Sequence, residues 1–126
     1  MRILVVDDND QIRGMLRLML ETAGYEVSDA ANGKIALHLQ KMMPADLLIT
    51  DIIMPEMEGI ELIINIRKID PRVKIIAISG GGKIDPYLCL DVAGKLGADR
   101  ILQKPFSQAT LMSNISELFP DSNLNH

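Results

Sequence analysis

The sequence is poor in the residue types that build disulfides, zinc sites and aromatic stacking surfaces. Its 126 residues contain one cysteine, two histidines, no tryptophan, two tyrosines and two phenylalanines. A single cysteine, Cys89, cannot form an internal disulfide, which is typical of proteins kept in a reducing compartment. So few cysteine and histidine side chains argue against a zinc site. So few aromatic rings argue against a stacking surface for single-stranded nucleic acid.

The sequence also lacks a basic excess and any long apolar run. Its net charge is −4, whereas surfaces for nucleic acid or anionic membranes usually need an excess of lysine and arginine. No run is long enough to span a bilayer, and the first apolar run reaches Asp7 and Asp8 before a secretory segment is complete. We therefore expect a cytoplasmic protein that binds neither nucleic acid nor membrane.

The length of the chain fits one domain. A chain of 126 residues can bury roughly two thirds of its unfolded surface, which is enough for a hydrophobic core. We expect the domain to span residues 1–120, followed by a short polar tail over residues 121–126 and no output domain.

Short apolar runs alternate with helical patterns along the chain. The runs are continuous in Val, Ile and Leu, which is typical of parallel strands buried on both faces. They cover residues 3–6, 47–50, 73–78 and 100–102, with a weaker run at 25–28 that we place near an edge of the sheet. The helical patterns cover about residues 10–23, 32–43, 58–69, 85–97 and 107–118.

The alternation of strand and helix predicts an α/β fold. Five βα units imply a doubly wound parallel sheet with helices on both faces, and right-handed crossovers leave few topologies. The flavodoxin-like strand order 2-1-3-4-5 is the common five-stranded solution, and its ligand site lies at the carboxyl ends of the strands.

Polar side chains follow four of the predicted strands at their carboxyl ends. They are Asp7 and Asp8 after the first strand, Asp51 after the third, Ser79 after the fourth and Lys104 after the fifth. Three carboxylates in one crevice repel each other and raise one another's pKa unless a cation lies among them. Oxygen ligands without a histidine or cysteine partner suit Mg²⁺, which also leaves positions for phosphate oxygens.

A lysine and a hydroxyl beside Mg²⁺ complete the requirements of a phosphoryl-transfer site. Phosphoryl transfer needs positioning and charge neutralisation more than covalent help. Mg²⁺ and Lys104 would neutralise two sides of the transferring group, and Ser79 would donate a hydrogen bond to a third oxygen. A carboxylate can act as the nucleophile and form an acyl phosphate, and the central Asp51 is the best candidate.

Four segments of the sequence together resemble the response-regulator receiver domain family. Residues 51–59, DIIMPEMEG, look like the family's phospho-acceptor motif D-x-x-M-P-x-M-x-G, and VVDD at residues 5–8 resembles its acidic pair. SG at residues 79–80 is similar to its hydroxyl-plus-small pair, and KPF at residues 104–106 to its lysine motif. The resemblance covers about residues 2–119, and each motif lies at its expected strand end.

The resemblance implies a role for each of these residues. Asp51 would be phosphorylated by a phosphohistidine on a sensor histidine kinase or a histidine phosphotransfer protein. Asp8, Asp51 and the backbone carbonyl of Ile53 would bind Mg²⁺, the cofactor, with Asp7 acting through a water molecule. Lys104 would pair with the carboxylate and then with the phosphate, and its bond to the following proline would be cis.

The resemblance also implies a switch that acts on another protein. Such a protein is not an enzyme for other substrates and catalyses only its own phosphorylation and dephosphorylation. It would pass the phosphoryl group along a relay, or signal to an unknown downstream protein as a monomer or a phosphorylation-linked dimer. The signalling face, formed by helix 4, strand 5 and helix 5 of the predicted fold, would include Lys83, Tyr87, Asp91, Lys95 and Ile101.

Two features depart from what the family usually has. Ile101, at the switch position, stands three residues before the lysine, where the family usually has a larger, aromatic side chain. Ser79 is followed by three glycines; Gly80 leaves room for the phosphoryl group, and such a loop is expected to stay mobile until phosphate draws the serine in. Ile53 and Gly81 border the phosphate and cannot orient an attacking water, so slow self-dephosphorylation is expected.

Three other functions fit parts of the sequence. A haloacid-dehalogenase-like phosphatase also uses an Asp nucleophile with Mg²⁺, and Asp8-Asn9-Asp10 matches its D-x-D motif, although the chain is short for a substrate cap. A flavodoxin-like FMN binder needs a phosphate loop after the first strand, where the aspartates would repel phosphate. A receiver-like module that binds its partner independently of phosphorylation is the third.

Overall fold

The computed structural model describes residues 1–52, 59–79, 94–95 and 97–120. Within these residues, five strands form one sheet and alternate with helices along the chain. The strands are β1 (Arg2–Val6), β2 (Glu26–Ala30), β3 (Leu47–Asp51), β4 (Lys74–Ser79) and β5 (Arg100–Gln103). The helices are α1 (Asp10–Thr22), α2 (Gly33–Met42), α3 (Gly59–Ile69) and a C-terminal helix (Gln108–Leu118).

The strands are parallel and follow the order β2-β1-β3-β4-β5, so the predicted fold class and strand order are confirmed. β2 lies at one edge of the sheet, where its weaker apolar run placed it. The observed β3 and β4 reach one residue further than their apolar runs, because Asp51 pairs with Ile78 and Ser79 pairs with Gln103. Polar side chains therefore stand on the last residues of these strands, at the carboxyl edge of the sheet.

Alternate residues of each strand pack on opposite faces of the sheet. Leu4 and Val6 of β1 belong to a buried cluster with α2 and α3, whereas Ile3 and Val5 belong to a second cluster with α1 and the C-terminal helix. Burying one such side chain fully contributes about 1.5–3 kcal/mol. The two clusters hold the sheet from both sides and so fix the relative positions of the strand ends.

Side-chain caps begin α1 and the C-terminal helix. The Asn9 side chain accepts hydrogen bonds from two backbone N–H groups of the first turn of α1, at 3.0 and 3.1 Å. The Ser107 hydroxyl accepts one from Thr110 N at 3.1 Å. Because Asn9 is the cap, α1 begins directly after Asp7 and Asp8, and the acidic pair lies in the short turn between β1 and α1.

Part of the predicted signalling face lies outside the described residues. Of the predicted fourth helix, residues 94, 95 and 97 are described; residues 94 and 95 are helical, and Gly97 lies in a turn with a positive φ. Lys95 and Ile101 are described, whereas Lys83, Tyr87 and Asp91 are not, and neither is the tail over residues 121–126. In the portion that is described, each helix is too short or too polar to cross a membrane.

Candidate functional site

Three aspartates meet at the carboxyl edge of the sheet. Asp7 and Asp8 follow β1, and Asp51 is the last residue of β3, the strand beside it. Each of the three offers a carboxylate oxygen within 4.8 Å of those of the other two. The parallel pairing of Val6 with Thr50 brings them together, since it ends both strands at the same level.

Lys104 reaches the aspartates from the far side of β4. It follows β5, which does not pair with β3, and its backbone N–H donates to the carbonyl of Ser79 at the end of β4 (2.8 Å). The side chain extends past this strand, and its Nζ lies 3.0 Å from Asp51 Oδ2 and 3.3 Å from Asp7 Oδ2. The peptide bond between Lys104 and Pro105 is cis, as expected.

The ion pairs change the protonation of Lys104. Burial alone would lower the pKa of its ammonium group, but the hydrogen bond to Asp51 and the negative charges of Asp51 and Asp7 raise this pKa overall. Lys104 therefore stays charged at neutral pH and acts as a fixed positive charge beside Asp51.

Asp7 is the most deeply placed carboxylate of the group, with 1% of its surface exposed. Its Oδ1 accepts a hydrogen bond from the backbone N–H of Asn9 (2.9 Å) and its Oδ2 accepts one from Lys104. Burial raises the pKa of the Asp7 carboxyl, and the charge of Asp51 acts in the same direction, while the Asn9 N–H and Lys104 only partly offset them. Ionised Asp7 is therefore under electrostatic strain that a cation would relieve.

The donor set fits a hard divalent cation. Three carboxylates face one ammonium group, so negative charge is in excess, and every side-chain ligand atom of the aspartate cluster is an oxygen. Such oxygen donors are those that Mg²⁺ prefers. Asp7, Asp8 and Asp51 would hold the ion; the predicted backbone ligand Ile53 and the phosphate-adjacent Gly80 and Gly81 lie outside the described residues.

Ser79 ends β4 between the strand that bears Asp51 and the strand that leads to Lys104. It is 3% exposed, and the residue before it, Ile78, pairs with Asp51. The main chain of Ser79 is held on one side by pairing with Gln103 of β5. Ser79 therefore ends β4, as the sequence predicts, and lies one residue past the position that pairs with Asp51.

Gly59 packs directly on the backbone of the phospho-acceptor candidate, which sequence reasoning did not foresee. A Cβ added to Gly59 would lie 2.5 Å from Ile52 Cα and 2.8 Å from the carbonyl carbon of Asp51, and would overlap the Asp51 oxygen. Its own N–H donates to Ile52 O at 2.7 Å. The start of α3 therefore packs closely against the end of β3. The motif match included Gly59 but gave no reason for it, because the reason is a contact with the backbone of residues earlier in the chain.

Arg13, which sequence reasoning also missed, lies behind the acidic pair. Its guanidinium group donates to the carbonyl oxygen of Asp7 (2.8 Å) and to Asp10 Oδ1 (2.5 Å). Asp10 is paired with Arg13, and the acidic group comprises Asp7, Asp8 and Asp51 alone among the described residues. The second aspartate of the D-x-D match therefore does not join the cluster. The signal that the sequence offered for this contact was an arginine on the first helix, five residues after Asp8.

An apolar groove adjoins the site. Ile12 and Met15 of α1 form one wall, and Pro105 and Phe106 form the other, with Lys104 at the end nearest the aspartates. Its volume is about 360 Å³. The groove is thus continuous with the acidic site through Lys104, whose ammonium group contacts Asp51.

Comparison with known proteins identifies the family. The pattern of the response regulator receiver domain matches residues 3–116. The chain is 38% identical over 118 residues to the chemotaxis protein CheY of Thermotoga maritima, covering 93% of this chain and 96% of that protein. It is 37% identical over 118 residues to the response regulator receiver protein CpdR of Brucella abortus, with 93% and 95% covered. The chain therefore belongs to the response regulator receiver domain family.

Solved structures agree with this assignment. The crystal structure of a response regulator receiver domain protein from Clostridium thermocellum superposes on the chain with a TM-score of 0.86. The two are 29% identical, and the superposition covers 99% of this chain and 98% of that one. The family and the fold agree with the resemblance found in the sequence motifs.

Proposed function

We propose that this receiver domain accepts a phosphoryl group on Asp51 from a phosphohistidine donor, in a Mg²⁺-dependent reaction, and then signals by protein binding or by phosphorelay. The observation that carries the proposal is the position of Lys104, whose ammonium group reaches across β4 to within 3.0 Å of Asp51 Oδ2. That contact unites an acidic cation site, a carboxylate nucleophile and a fixed positive charge at one point, which is what phosphoryl transfer to a carboxylate requires.

Each residue of the site has its own role in the phosphoryl transfer. A carboxylate oxygen of Asp51 attacks the phosphorus while the bond from phosphorus to the donor's imidazole nitrogen breaks, and the electron pair of that bond stays with the imidazole. Lys104 moves from pairing with the carboxylate to pairing with a phosphoryl oxygen. The Ser79 hydroxyl donates a hydrogen bond to another phosphoryl oxygen. Asp8, Asp51 and the Ile53 carbonyl would hold Mg²⁺, with Asp7 acting through a water molecule, and the ion would supply neutralising charge.

The phosphoryl donor is a sensor histidine kinase or a histidine phosphotransfer protein. The apolar groove between α1 and the Pro105–Phe106 segment supports this proposal, because it offers a protein surface beside Lys104 and the phospho-acceptor. An apolar wall next to the reacting group would let a donor protein dock and present its phosphohistidine. The chain turns over no other substrate and acts only on its own phosphoryl group.

The output would pass through the face of helix 4, strand 5 and helix 5 of the predicted fold to a downstream protein. Ile101 is part of this face and lies next to Gly94, because a Cβ on that glycine would meet Ile101 Cδ1 at 3.4 Å. Phosphorylation would bias a two-state equilibrium that the partner reads, in a cytoplasmic monomer or a phosphorylation-linked dimer. We propose slow self-dephosphorylation, since Ile53 and Gly81 cannot orient water. A phosphoryl lifetime of seconds would contradict it.

The phosphatase alternative is not favoured by the arrangement of the acids. In a phosphatase that uses a D-x-D pair, the second aspartate works beside the first, whereas Asp10 here is paired with Arg13. An FMN binder would need a phosphate-binding loop directly after β1, but Asp7 and Asp8 lie there and would repel the phosphate. The family match points in the same direction.

Intact-protein mass after incubation with acetyl phosphate tests the proposal. We expect the native chain to gain one phosphoryl group when Mg²⁺ is present, and to gain none when Mg²⁺ is chelated or when Asp51 is replaced in Asp51→Asn. Uptake that persists in Asp51→Asn would place the acceptor elsewhere. Absence of uptake by the native chain, with acetyl phosphate and with a phosphorylated histidine donor, would favour a module that binds its partner independently of phosphorylation.

A further inference from the structure

Arg13 ties together three parts of the fold around the acidic end of β1. Its Nη1 donates to the carbonyl oxygen of Asp7 at 2.8 Å, and its Nη2 lies 2.5 Å from Asp10 Oδ1 at the start of α1. Its Nε lies 3.5 Å from Asp29 Oδ1 on β2. The side chain is 17% exposed, so the guanidinium group is largely enclosed by these partners.

The contact with Asp7 bears on where the acidic pair points. The carbonyl of Asp7 belongs to the peptide bond that joins Asp7 to Asp8, so its orientation sets the direction in which both side chains leave the chain. On its other side, Asp7 is held by a hydrogen bond from its N–H to Ala30 O of β2 (3.2 Å). The planar guanidinium group has several donors in a fixed geometry. Arg13 uses one of them to hold the carbonyl side of this peptide.

Arg17 provides an internal comparison. It lies one turn later on α1, and its Nη1 contacts Asp29 Oδ2 at 2.5 Å while its Nε contacts Glu21 Oε1 at 3.0 Å. Arg17 therefore joins the same helix to the same strand through the same aspartate. It is more exposed, at 41% of its side chain, and its contacts do not include Asp7.

We propose that Arg13 is a positioning residue for the Mg²⁺ site, which it serves by fixing the Asp7–Asp8 peptide and by keeping Asp10 out of the acidic cluster. The proposal rests on the proposed function in one respect, namely that the cluster binds Mg²⁺. Groups that orient metal ligands from behind typically affect metal affinity by about tenfold or more. Arg13 therefore acts on the cation through the backbone of its ligands, without touching it.

The sign of the effect separates positioning from simple charge. Loss of a nearby positive charge would by itself tighten Mg²⁺ binding, because the aspartate cluster would become more negative. Loss of a positioning contact would weaken it, because the ligands would no longer be held in place. Arg13→Met removes both charge and contact, whereas Arg13→Lys keeps the charge but cannot reach three partners at once.

The experiment measures Mg²⁺ affinity of the full chain by titration calorimetry, for the native protein, Arg13→Met, Arg13→Lys and Arg17→Met. Thermal unfolding without Mg²⁺ records how far each variant is destabilised. We expect the affinity to fall roughly tenfold in Arg13→Met and by a smaller factor, about threefold to fivefold, in Arg13→Lys. Arg17→Met, the matched control, should stay within about twofold of the native affinity. Amide chemical shifts of Asp8 should move in the Arg13 variants alone.

Three results would overturn the proposal. Tighter Mg²⁺ binding in Arg13→Met would show that charge dominates, and native affinity in Arg13→Lys would show the same. An equal loss in Arg17→Met would assign the effect to the general linkage of α1 and β2. If Arg13→Met does not fold, Arg13→Lys and Arg17→Met still decide the question. If the affinities follow the expected order but the native chain takes up no phosphoryl group from acetyl phosphate, the positioning role stands and the proposed function fails.

Discussion

The amino and carboxyl ends of the strands form two edges of the sheet, and each encloses a basic side chain among oxygen acceptors. The two edges differ in the number of carboxylates around that side chain. At the amino edge, Arg67 of α3 is surrounded mainly by neutral backbone carbonyls and faces a single carboxylate, that of Asp99. At the carboxyl edge, Lys104 contacts the carboxylates of Asp7 and Asp51, with Asp8 close by. The Arg67–Asp99 pair is neutral, whereas the cluster of Asp7, Asp8, Asp51 and Lys104 has an excess of negative charge.

The amino-edge cluster has the features of a structural clamp. The guanidinium group of Arg67 donates to the carbonyls of Gly97 (2.7 Å from Nη2), Pro71 and Val73, and to Asp99 Oδ2 (2.8 Å). The same Asp99 oxygen accepts the N–H of Ile75 at 2.8 Å. These contacts join the end of α3 to the starts of β4 and β5, and each charge in the cluster is matched.

The contrast separates a charge cluster that is complete within the protein from one that a cation would complete. Matched charges at the amino edge lower the energy of the folded chain without a ligand. At the carboxyl edge, one ammonium group faces three carboxylates, so a cation bound there would stabilise that edge. The predictions below test whether changes at one edge leave the other unaffected.

The largest effect on stability is expected for Arg67→Met. The substitution keeps an apolar stem but leaves Asp99 and several partly buried carbonyls without their donor, which should lower the free energy of unfolding by about 3 kcal/mol. Urea denaturation measures the loss, and titration with Mg²⁺ should show an unchanged affinity. Lys68→Met is the matched control, since Lys68 is exposed on the same helix and should change stability by less than about 0.5 kcal/mol. A weakened Mg²⁺ affinity in Arg67→Met would show that the two edges are coupled.

A somewhat smaller effect is expected for Gly59→Ala, at the carboxyl edge. The new methyl group would overlap the backbone of Asp51 and Ile52, so the end of β3 must shift, at a cost of about 2 kcal/mol. Because the shift moves Asp51, the rate of phosphorylation by acetyl phosphate should fall as well, in protein that is still folded.

Gly14→Ala is the control for Gly59→Ala. Gly14 lies within α1, and a Cβ there meets nothing within 4 Å. Alanine should therefore raise stability by about 0.5–1 kcal/mol through its helix propensity, with no change in phosphorylation. If Gly59→Ala behaves like Gly14→Ala, the close approach to Asp51 does not limit this position.

The smallest effect is expected for Asp7→Asn, and its sign is the informative part. The pKa of Asp7 is raised in the folded chain above its ordinary value of 3.8, mainly by burial. The folded state therefore holds the proton more tightly, and the stability contributed by this group is present below pH 3.8 and lost as the pH rises through the raised pKa. At neutral pH without Mg²⁺, Asp7→Asn should thus be more stable than the native chain by about 1 kcal/mol.

Thermal unfolding at several pH values checks the Asp7→Asn prediction. The advantage of the variant should shrink as the pH falls toward 3.8, because Asp7 of the native chain then becomes protonated. Adding Mg²⁺ should stabilise the native chain, since a ligand bound only to the folded state shifts the equilibrium toward it, and should stabilise Asp7→Asn less. A variant that is less stable than the native chain without Mg²⁺ would mean that the ion pair with Lys104 outweighs the cost of burial.

Much of the fold was predictable because it follows from short-range patterns. Four continuous apolar runs and one weaker run located the five strands, and the helical patterns located the described helices. The strand order followed from the alternation of strand and helix together with the rules of chain connection. Where the boundaries differed, as at Asp51 and Ser79, pairing with a neighbouring strand extended each strand past its apolar run.

The sequence by itself determined the fold class, the family and the set of polar residues at the carboxyl ends of the strands. It could do so because burial requires apolar residues at fixed periods and because the motif residues lie close to strand ends. The tertiary structure decided which of these groups meet, and which partners outside the motifs hold them. Arg13 lies behind Asp7 and Gly59 lies against Asp51 because of how each helix start packs on the preceding strand end, and the Arg67 clamp joins α3 to Asp99, 32 positions further along the chain. Apolar periodicity does not encode such contacts.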